Sequence, residues 1–489
     1  MAQEKLVEVK DEMLVQGLYT SAEPTAGQIW NTGTNIWFRD LSVEQVLGRN
    51  KILAITGRPP LALAQAFNAP NKSLYFENLG IIYQLNGTGN PTVFGSPVPI
   101  AALATTNDYW LEPWGTFLLM TDTVSQPMLW QGAGSPIPIG IGQFSTCKII
   151  KKIAQFAVVY NTDTAPNGFF WSDVSDPATW TPSLSNAARN LTIRDLDSEI
   201  VAVADLGVSH AVYSRDTMLL VQYVGPDQGW LGTPNEALRG IGAVSRNSVV
   251  SLGRFNFGIF KGGIFTTDGT THNFADRPQI DRFLQENVNW NLGDSIWGYW
   301  DNKTGLVKWI VPILPSSSYF NPVNPRLVIA MDPKTRTVTK ESIYLSRKNF
   351  SFLDNLPYGG MPQEVFDYPI AILPDGLYYD SPELTLSGSF NLTSQLFDAG
   401  DQSIFKLWDY ATFGGTFDTT DTTMQVAFGH TDTASFSSIA WDAWQPLSNR
   451  VAPVAGPRES VFLALRFQGS STFKMTSMRV YGEKGGFVN

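Results

Sequence analysis

The chain has 489 residues, a formal net charge of −10, one cysteine, three histidines, 42 glycines, 30 prolines and an aromatic set of 15 Trp, 16 Tyr and 30 Phe. A single cysteine, Cys147, excludes an internal disulfide framework and a multi-cysteine zinc site; His210, His272 and His430 lack the spacing of a metal motif, so neither a metal nor a cofactor is expected. A hydrophobic content of 43% supports a large core and excludes a disordered chain, and the frequent Gly and Pro favour turns over long helices.

From the N-terminus, Met1 to Lys10 alternates charged and apolar residues without a basic region followed by an apolar one, so no secretory signal is expected. No stretch approaches the ~20 apolar residues that span a bilayer. The expectation is a protein made in a cytoplasm, with no membrane-spanning segment. Leu41 to Leu47 and Pro60 to Phe67 read as short helices. Alternating, β-branched and aromatic runs then predict strands at Lys51 to Thr56, Ser73 to Phe76, Ile81 to Leu85, Thr116 to Thr121, Ile153 to Tyr160, Ile200 to Ala204, His210 to Ser214, Thr217 to Tyr223 and Ser248 to Leu252. Further strands are predicted at Phe255 to Phe260, Gly263 to Thr267, Ser295 to Trp300, Leu306 to Val311 and Arg326 to Met331. One helix stands out between Asp276 or Arg277 and Asn287, where Pro278 suits the first turn and Ile280, Phe283 and Leu284 share a face.

Three hairpins, His210 to Tyr223, Phe255 to Gly269 and Ser295 to Trp309, recur at intervals of roughly 40 to 50 residues, the period of propeller blades. Past Pro382 the composition shifts to Ser, Thr, Asp and Gly, with strands at Gly388 to Leu392, Thr423 to Phe428, Val461 to Phe467 and Lys474 to Tyr481 that suit a β-sandwich. The fold class expected is all-β: a β-propeller of six or seven blades over 51–380, preceded by an N-terminal arm and first strands over 1–50, followed by a β-sandwich-like domain over 381–489, with few short helices.

Catalytic patterns are weak. Trp171-Ser-Asp-Val-Ser-Asp-Pro-Ala-Thr-Trp180 loosely resembles the aspartate-box turn of sialidase propellers, but Ser175 and Pro177 stand where the box needs Asp and Gly. A structural reading is preferred, with Asp173 and Asp176 accepting turn hydrogen bonds and Trp171 and Trp180 packing between strands. No Gly-x-Ser-x-Gly elbow and no phosphate-binding glycine loop occurs. His210 sits in an alternating strand as a structural histidine. Cys147, although followed by Lys148, Lys151 and Lys152, reads as a small core filler. The cluster Asp108 to Gly115 offers Tyr109, Trp110 and Trp114 for stacking on sugars or, by preference, for sealing one blade on the next. No catalytic residue is assigned.

Charge is unevenly placed. Asp398, Asp401, Asp409, Asp418, Asp421, Asp432 and Asp442 face one base, Lys406, giving a local net of −6; from Arg450 onward Arg450, Arg458, Arg466, Lys474, Arg479 and Lys484 outnumber Glu459 and Glu483 for a net of +4. Such a chain lacks the clustered bases of a general phosphate-gripping protein. Solvated loops are the simplest reading. The alternative is that the acids face a channel lumen or meet the bases of a neighbouring subunit.

Gly17-Leu-Tyr-Thr-Ser-Ala-Glu-Pro24, with Trp37-Phe-Arg-Asp-Leu-Ser-Val-Glu-Gln-Val-Leu-Gly48, resembles the start of the tail nozzle, or tail-hub (DNA-stabilisation, head-completion), proteins of short-tailed bacteriophages. Residues 207–223, Ile241 to Gly253, Phe260 to Gly269, Phe462 to Gly469 and Met478 to Gly482 are similar to the hairpins and closing strands of that family. The resemblance implies a non-enzymatic virion component. It would form a homo-oligomeric ring, expected to be a hexamer, below the portal and adaptor proteins, with tail fibres or spikes as further partners. The ring would close the channel in the packaged particle and pass double-stranded DNA on ejection. Two other readings stay open: a tail-associated propeller enzyme or lectin acting on host polysaccharide, and a cellular propeller scaffold.

Overall fold

A computed structural model describes the chain apart from residues 1–3, 11–29, 35, 40–41, 46, 55–61, 69–70, 88–95, 106–107, 197, 208, 226–228, 234–237, 276–277, 302–304, 318–319, 321–325, 335, 337, 342–349, 352–369, 374–375, 386–389, 398–403, 418–423, 448–449, 470–472 and 488–489. Two compact units result. One is Asn50–Arg326 with Tyr344–Asp380; the other gathers Met1–Arg49, Leu327–Ile343 and Ser381–Asn489. The C-terminal segment is therefore completed by two earlier stretches of chain.

In the first unit, short antiparallel strands follow one another sheet by sheet. The first sheet is Leu63–Asn68, Asn71–Asn78, Ile81–Gly87 and Val98–Ala102, and the second is Trp110–Trp114, Phe117–Thr121, Met128–Trp130 and Ile137–Pro138. Cys147–Ile153, Phe156–Thr162, Gly168–Trp171 and Arg189–Thr192 make the third; Ala202–Leu206, Ser209–Tyr213, Met218–Gly225 and Gly229–Thr233 make the fourth. The fifth is Val249–Ser251, Asn256–Phe260, Gly263–Thr267 and His272–Phe274, and the sixth opens with the hairpin Trp297–Asp301 and Leu306–Pro312. The seventh is Phe350–Ser351, Ile370–Leu373, Gly376–Thr385 and, at its outer edge, Leu47–Ala54.

The first strands of these sheets touch in chain order, and Phe350–Ser351 touches Leu63–Asn68, so that among the described residues seven first strands close a ring. This is a β-propeller. The outermost strand of the last sheet comes from before the first, which joins the two ends of the array by ladder hydrogen bonds. Apolar side chains seal the sheets face to face: Phe156 of the third packs on Tyr223 and Trp230 of the fourth at ring-centroid distances of 5.0 and 5.8 Å. Phe156–Thr162 and Leu306–Pro312 are buried at every residue, as strands covered on both faces must be.

The second unit is a sandwich of two sheets. One runs Ile36–Arg39, Ser42–Gln45, Phe473–Phe487, Ile404–Phe417 and Val451–Ser460, with Glu4–Lys10 also along Phe473–Phe487; the other runs Trp30–Thr34, Phe390–Ser394, Phe462–Gly469, Gln425–Thr431 and Ala440–Trp441, with Gln445–Pro446 also on Gln425–Thr431. Trp408, Phe413, Met478 and Val480 on one inner face meet Phe428, Leu463, Leu465 and Phe467 on the other.

The helix Pro278–Asn287 forms as expected, with Ile280, Phe283 and Leu284 buried. Three local expectations fail. The predicted helices at 41–47 and 60–67 are instead the strands Ser42–Gln45 and Leu63–Asn68: Val43 is turned into the sandwich core, and the pairings Phe38 with Val43 and Leu63 with Phe76 supply partners that a helix of seven or eight residues lacks. The single strand predicted over Ile153 to Tyr160 is the end of one strand and the start of the next, because Ala154, at φ 52°, turns the chain there without a Gly or Asn to mark it.

Candidate functional site

Charged side chains on and next to the first and second strands of the propeller sheets pair with one another. Lys148 Nζ lies 2.7 Å from Glu199 Oε2, and the Asn161 Nδ2 amide donates to the same oxygen at 3.0 Å. The hydrogen bonds from Lys148 and then from Asn161 hold the Glu199 carboxyl below its ordinary range. Asn161 makes this contact from a left-handed conformation, φ 52°, and its amide also donates to the Ile200 carbonyl at 2.8 Å. Arg215 lies 3.6 Å from Asp294.

Arg246 is the most buried charge of this group. It pairs with Asp108, donates to the carbonyl oxygens of Tyr109 at 2.9 Å and Lys148 at 2.7 Å, and lies over the Trp110 ring at 5.3 Å, with Lys151 over the same ring at 5.6 Å. Burial lowers its pKa and the Asp108 carboxylate opposes that shift; a guanidinium stays charged throughout. Tyr109 and Trp110 are buried, as the sealing reading requires, and the Tyr109 hydroxyl donates to the Ala104 carbonyl at 2.8 Å.

His210 and Cys147 lie in the propeller interior. His210 is fully buried, its Nε2 2.8 Å from the Tyr160 hydroxyl and its Nδ1 without a hydrogen-bond partner, between Phe169 and Trp230. Desolvation pushes the imidazole down to about 3 and the Tyr160 phenol well above its ordinary value, so both are neutral at physiological pH. Cys147 is wholly buried, and burial pushes its thiol up to about 12, the opposite of an activated nucleophile. Lys308 and Asp301 form an internal ion pair at 3.0 Å. In the aspartate-box look-alike, Asp173 accepts from the backbone N–H groups of Val174 and Ala187 and Asp176 from that of Ala178, while Trp171 and Trp180 are buried: a folded turn with its carboxylates occupied. Among the described residues no group of three or more His, Cys, Asp or Glu is placed to hold a metal ion.

The charged residues singled out in the second unit are scattered in environment. Asp398, Asp401, Asp418 and Asp421 lie outside the described residues, as does the side chain of Arg458. Asp409 is half-buried on its strand, and Asp432 is exposed, accepting from the Val461 N–H at 3.4 Å. Asp442 does not fit the surface role expected of it: it is buried, with Oδ2 3.1 Å from His430 Nε2, because the short strand Ala440–Trp441 turns it back across Gln425–Thr431. Arg450 and Arg479 are exposed, and Lys474 reaches Glu44 of its own unit at 2.8 Å. Arg466 is clamped between the rings of Trp441 and Trp444, each 4.5 Å away. Sequence reasoning passed over Arg246 and Asp108. They are 138 positions apart, and neither lies in a pattern that marks the other.

No protein-family model and no curated protein matches the chain. Among solved structures it is similar to YCF48 bound to D1 peptide (10% identity, 70% of this chain and 100% of that one, TM-score 0.42) and to the RRP9 WD40 repeats (8% identity, 69% and 99%, TM-score 0.42). It is also similar to apo AztD from Citrobacter koseri (10% identity, 91% and 98%, TM-score 0.38). At these TM-scores the likenesses carry no functional argument; the propeller assignment stands on the closed ring of first strands.

Proposed function

We propose that the chain is a structural virion protein: the nozzle subunit at the distal end of a short phage tail, assembling as a homo-oligomeric ring, a hexamer by the family resemblance. The ring closes the DNA channel in the packaged particle and opens it on ejection. The observation that carries this reading is where the resembling segments fall. Residues 207–223, Ile241 to Gly253 and Phe260 to Gly269 fall on successive hairpins of the propeller, and Phe462 to Gly469 and Met478 to Gly482 lie on central strands of the two sandwich sheets. A likeness spread over the structural strands of both units, rather than over one loop cluster, is what descent of a whole architecture leaves behind.

Uneven charge suits the same role, since a passage for DNA has to avoid the phosphate affinity that clustered bases confer. Lateral contacts between copies would draw on the exposed Arg450 and Arg479. The reading is tested by native mass spectrometry and electron microscopy of the purified chain mixed with a short-tailed phage's adaptor and portal complex. A ring at the adaptor's distal face is expected. A monomer that ignores the complex but cleaves or binds host capsular glycan would overturn the reading in favour of the polysaccharide one.

A further inference from the structure

In a ring of seven first strands, the second and fifth positions are three steps apart, the widest separation such a ring permits. Arg246 leads into the fifth first strand, Val249–Ser251; Asp108 and Tyr109 lead into the second, Trp110–Trp114; Lys148 belongs to the third, Cys147–Ile153. A side chain from the fifth position that hydrogen-bonds to the second and third does not run along the wall of the ring. It spans the opening.

We propose that Arg246 is a cross-axis latch, whose guanidinium ties the second and third sheets to the fifth across one end of the propeller's axial channel and closes that end to solvent and ligands. The fork geometry of arginine suits this task. Its planar donors serve the Asp108 carboxylate and two backbone carbonyls at once, while its face lies over the Trp110 ring. An ammonium group in the same place has no planar face and no fixed fork. The side chain is only 11% exposed, so the latch is part of the floor of the opening and not a mobile arm above it. A propeller axis is where this fold leaves a central channel, and here the chain's own cation occupies one mouth of it.

The chain contains a built-in reporter. Cys147 is its only cysteine, fully buried, and it immediately precedes the residue whose carbonyl Arg246 holds. Thiol labelling of the full chain under native conditions therefore reads opening at this point. In Arg246→Met and Arg246→Ala the labelling rate of Cys147 is expected to rise by at least about tenfold, with a weak dependence on urea, as local opening exposes little surface. Arg246→Lys is expected to fall between these and the parent chain. Arg254→Ala, which removes an exposed arginine from the first turn of the same sheet, should leave the rate unchanged. If the Arg246 variants label at the parent rate, the latch does not exist. If their extra labelling carries the urea slope of global unfolding, Arg246 stabilises the whole fold and the latch is equally overturned.

Discussion

His210 shows how a single side chain can make the molecule sensitive to pH without doing chemistry. Buried among aromatic rings, it stays neutral in the folded chain down to about pH 3, whereas in the unfolded chain it takes a proton near its ordinary value of 6.5. Below pH 6.5 the unfolded state therefore binds the additional proton. The stability that a neutral His210 allows is complete above 6.5 and is lost progressively as the pH falls toward 3. Between pH 7 and pH 5 the loss is about 2 kcal/mol. Urea unfolding at the two pH values should show this difference in the parent chain, and His210→Gln, which cannot titrate, should show a difference smaller by that amount. Equal losses in both chains would mean that other groups set the acid response. From sequence, His210 was readable as a structural histidine because it alternates with apolar neighbours. Its partner Tyr160 was not, since the pair lies 50 positions apart on strands of adjacent sheets.

At the scale of the element, one turn is built four times over. Where the second strand of a sheet ends, or in the fifth sheet the third, a hydroxyl accepts a backbone N–H from two or three residues ahead: Thr121 from Thr123 at 2.9 Å, Thr162 from Ala165 at 3.0 Å, Ser214 from Thr217 at 3.0 Å and Thr267 from Gly269 at 3.1 Å. In three of them the next residue is an aspartate. Asp268 accepts from the N–H groups of Thr271 and Thr270, which hold its carboxyl down to about 2. Asp163 reaches Ser145 and Thr146, and Asp122 reaches Ala104, in each case on the segment that leads into the same sheet. Asp122 is the buried member of the set and also accepts from Val124 and Ser125. Replacing it with Ala strands three backbone donors and should cost about 1–3 kcal/mol. Asp122→Asn keeps an oxygen for Val124 and Ser125 but turns an amide toward Ala104, so it should cost less. Denaturant midpoints of the two variants check the order, and an Ala variant as stable as the Asn one would show that these donors find water. The repeat was legible in the sequence as a spacing of hairpins. The Thr-Asp signature at 121, 162 and 267 was present too, but in turns of four to six residues of ordinary composition it becomes visible only once the strands on either side are aligned. Strands built on short apolar or β-branched runs, such as Gly263–Thr267 and Arg326–Met331, fell where the sequence placed them. Ser42–Gln45 did not, because four residues are too few for a period of 2 to be told from one of 3.6.

For the whole molecule, the decisive fact is that the propeller is a ring and not a row. A row of sheets that contact only their neighbours can fray from either end and loses stability in steps. In this chain the seventh sheet takes its outer strand, Leu47–Ala54, from ahead of the first, and its inner strand touches the first sheet, so no sheet is terminal. Opening the ring at this seam gives up ladder hydrogen bonds together with the packing of two sheet faces, and every later loss follows from that one event. Leu53→Pro probes the seam directly, since proline removes a ladder N–H and is accepted in a sheet only where that N–H faces outward. Calorimetry of the parent chain should show the propeller melting in one sharp transition. If the N–H of Leu53 serves the ladder, the variant should melt several degrees lower, in a broader transition whose calorimetric enthalpy exceeds the van't Hoff value, because an opened ring unravels sheet by sheet. With that N–H in the ladder, a proline variant that keeps both the midpoint and the sharpness of the parent would place the closure elsewhere, in the apolar faces between the seventh and first sheets and not in the strand that spans them.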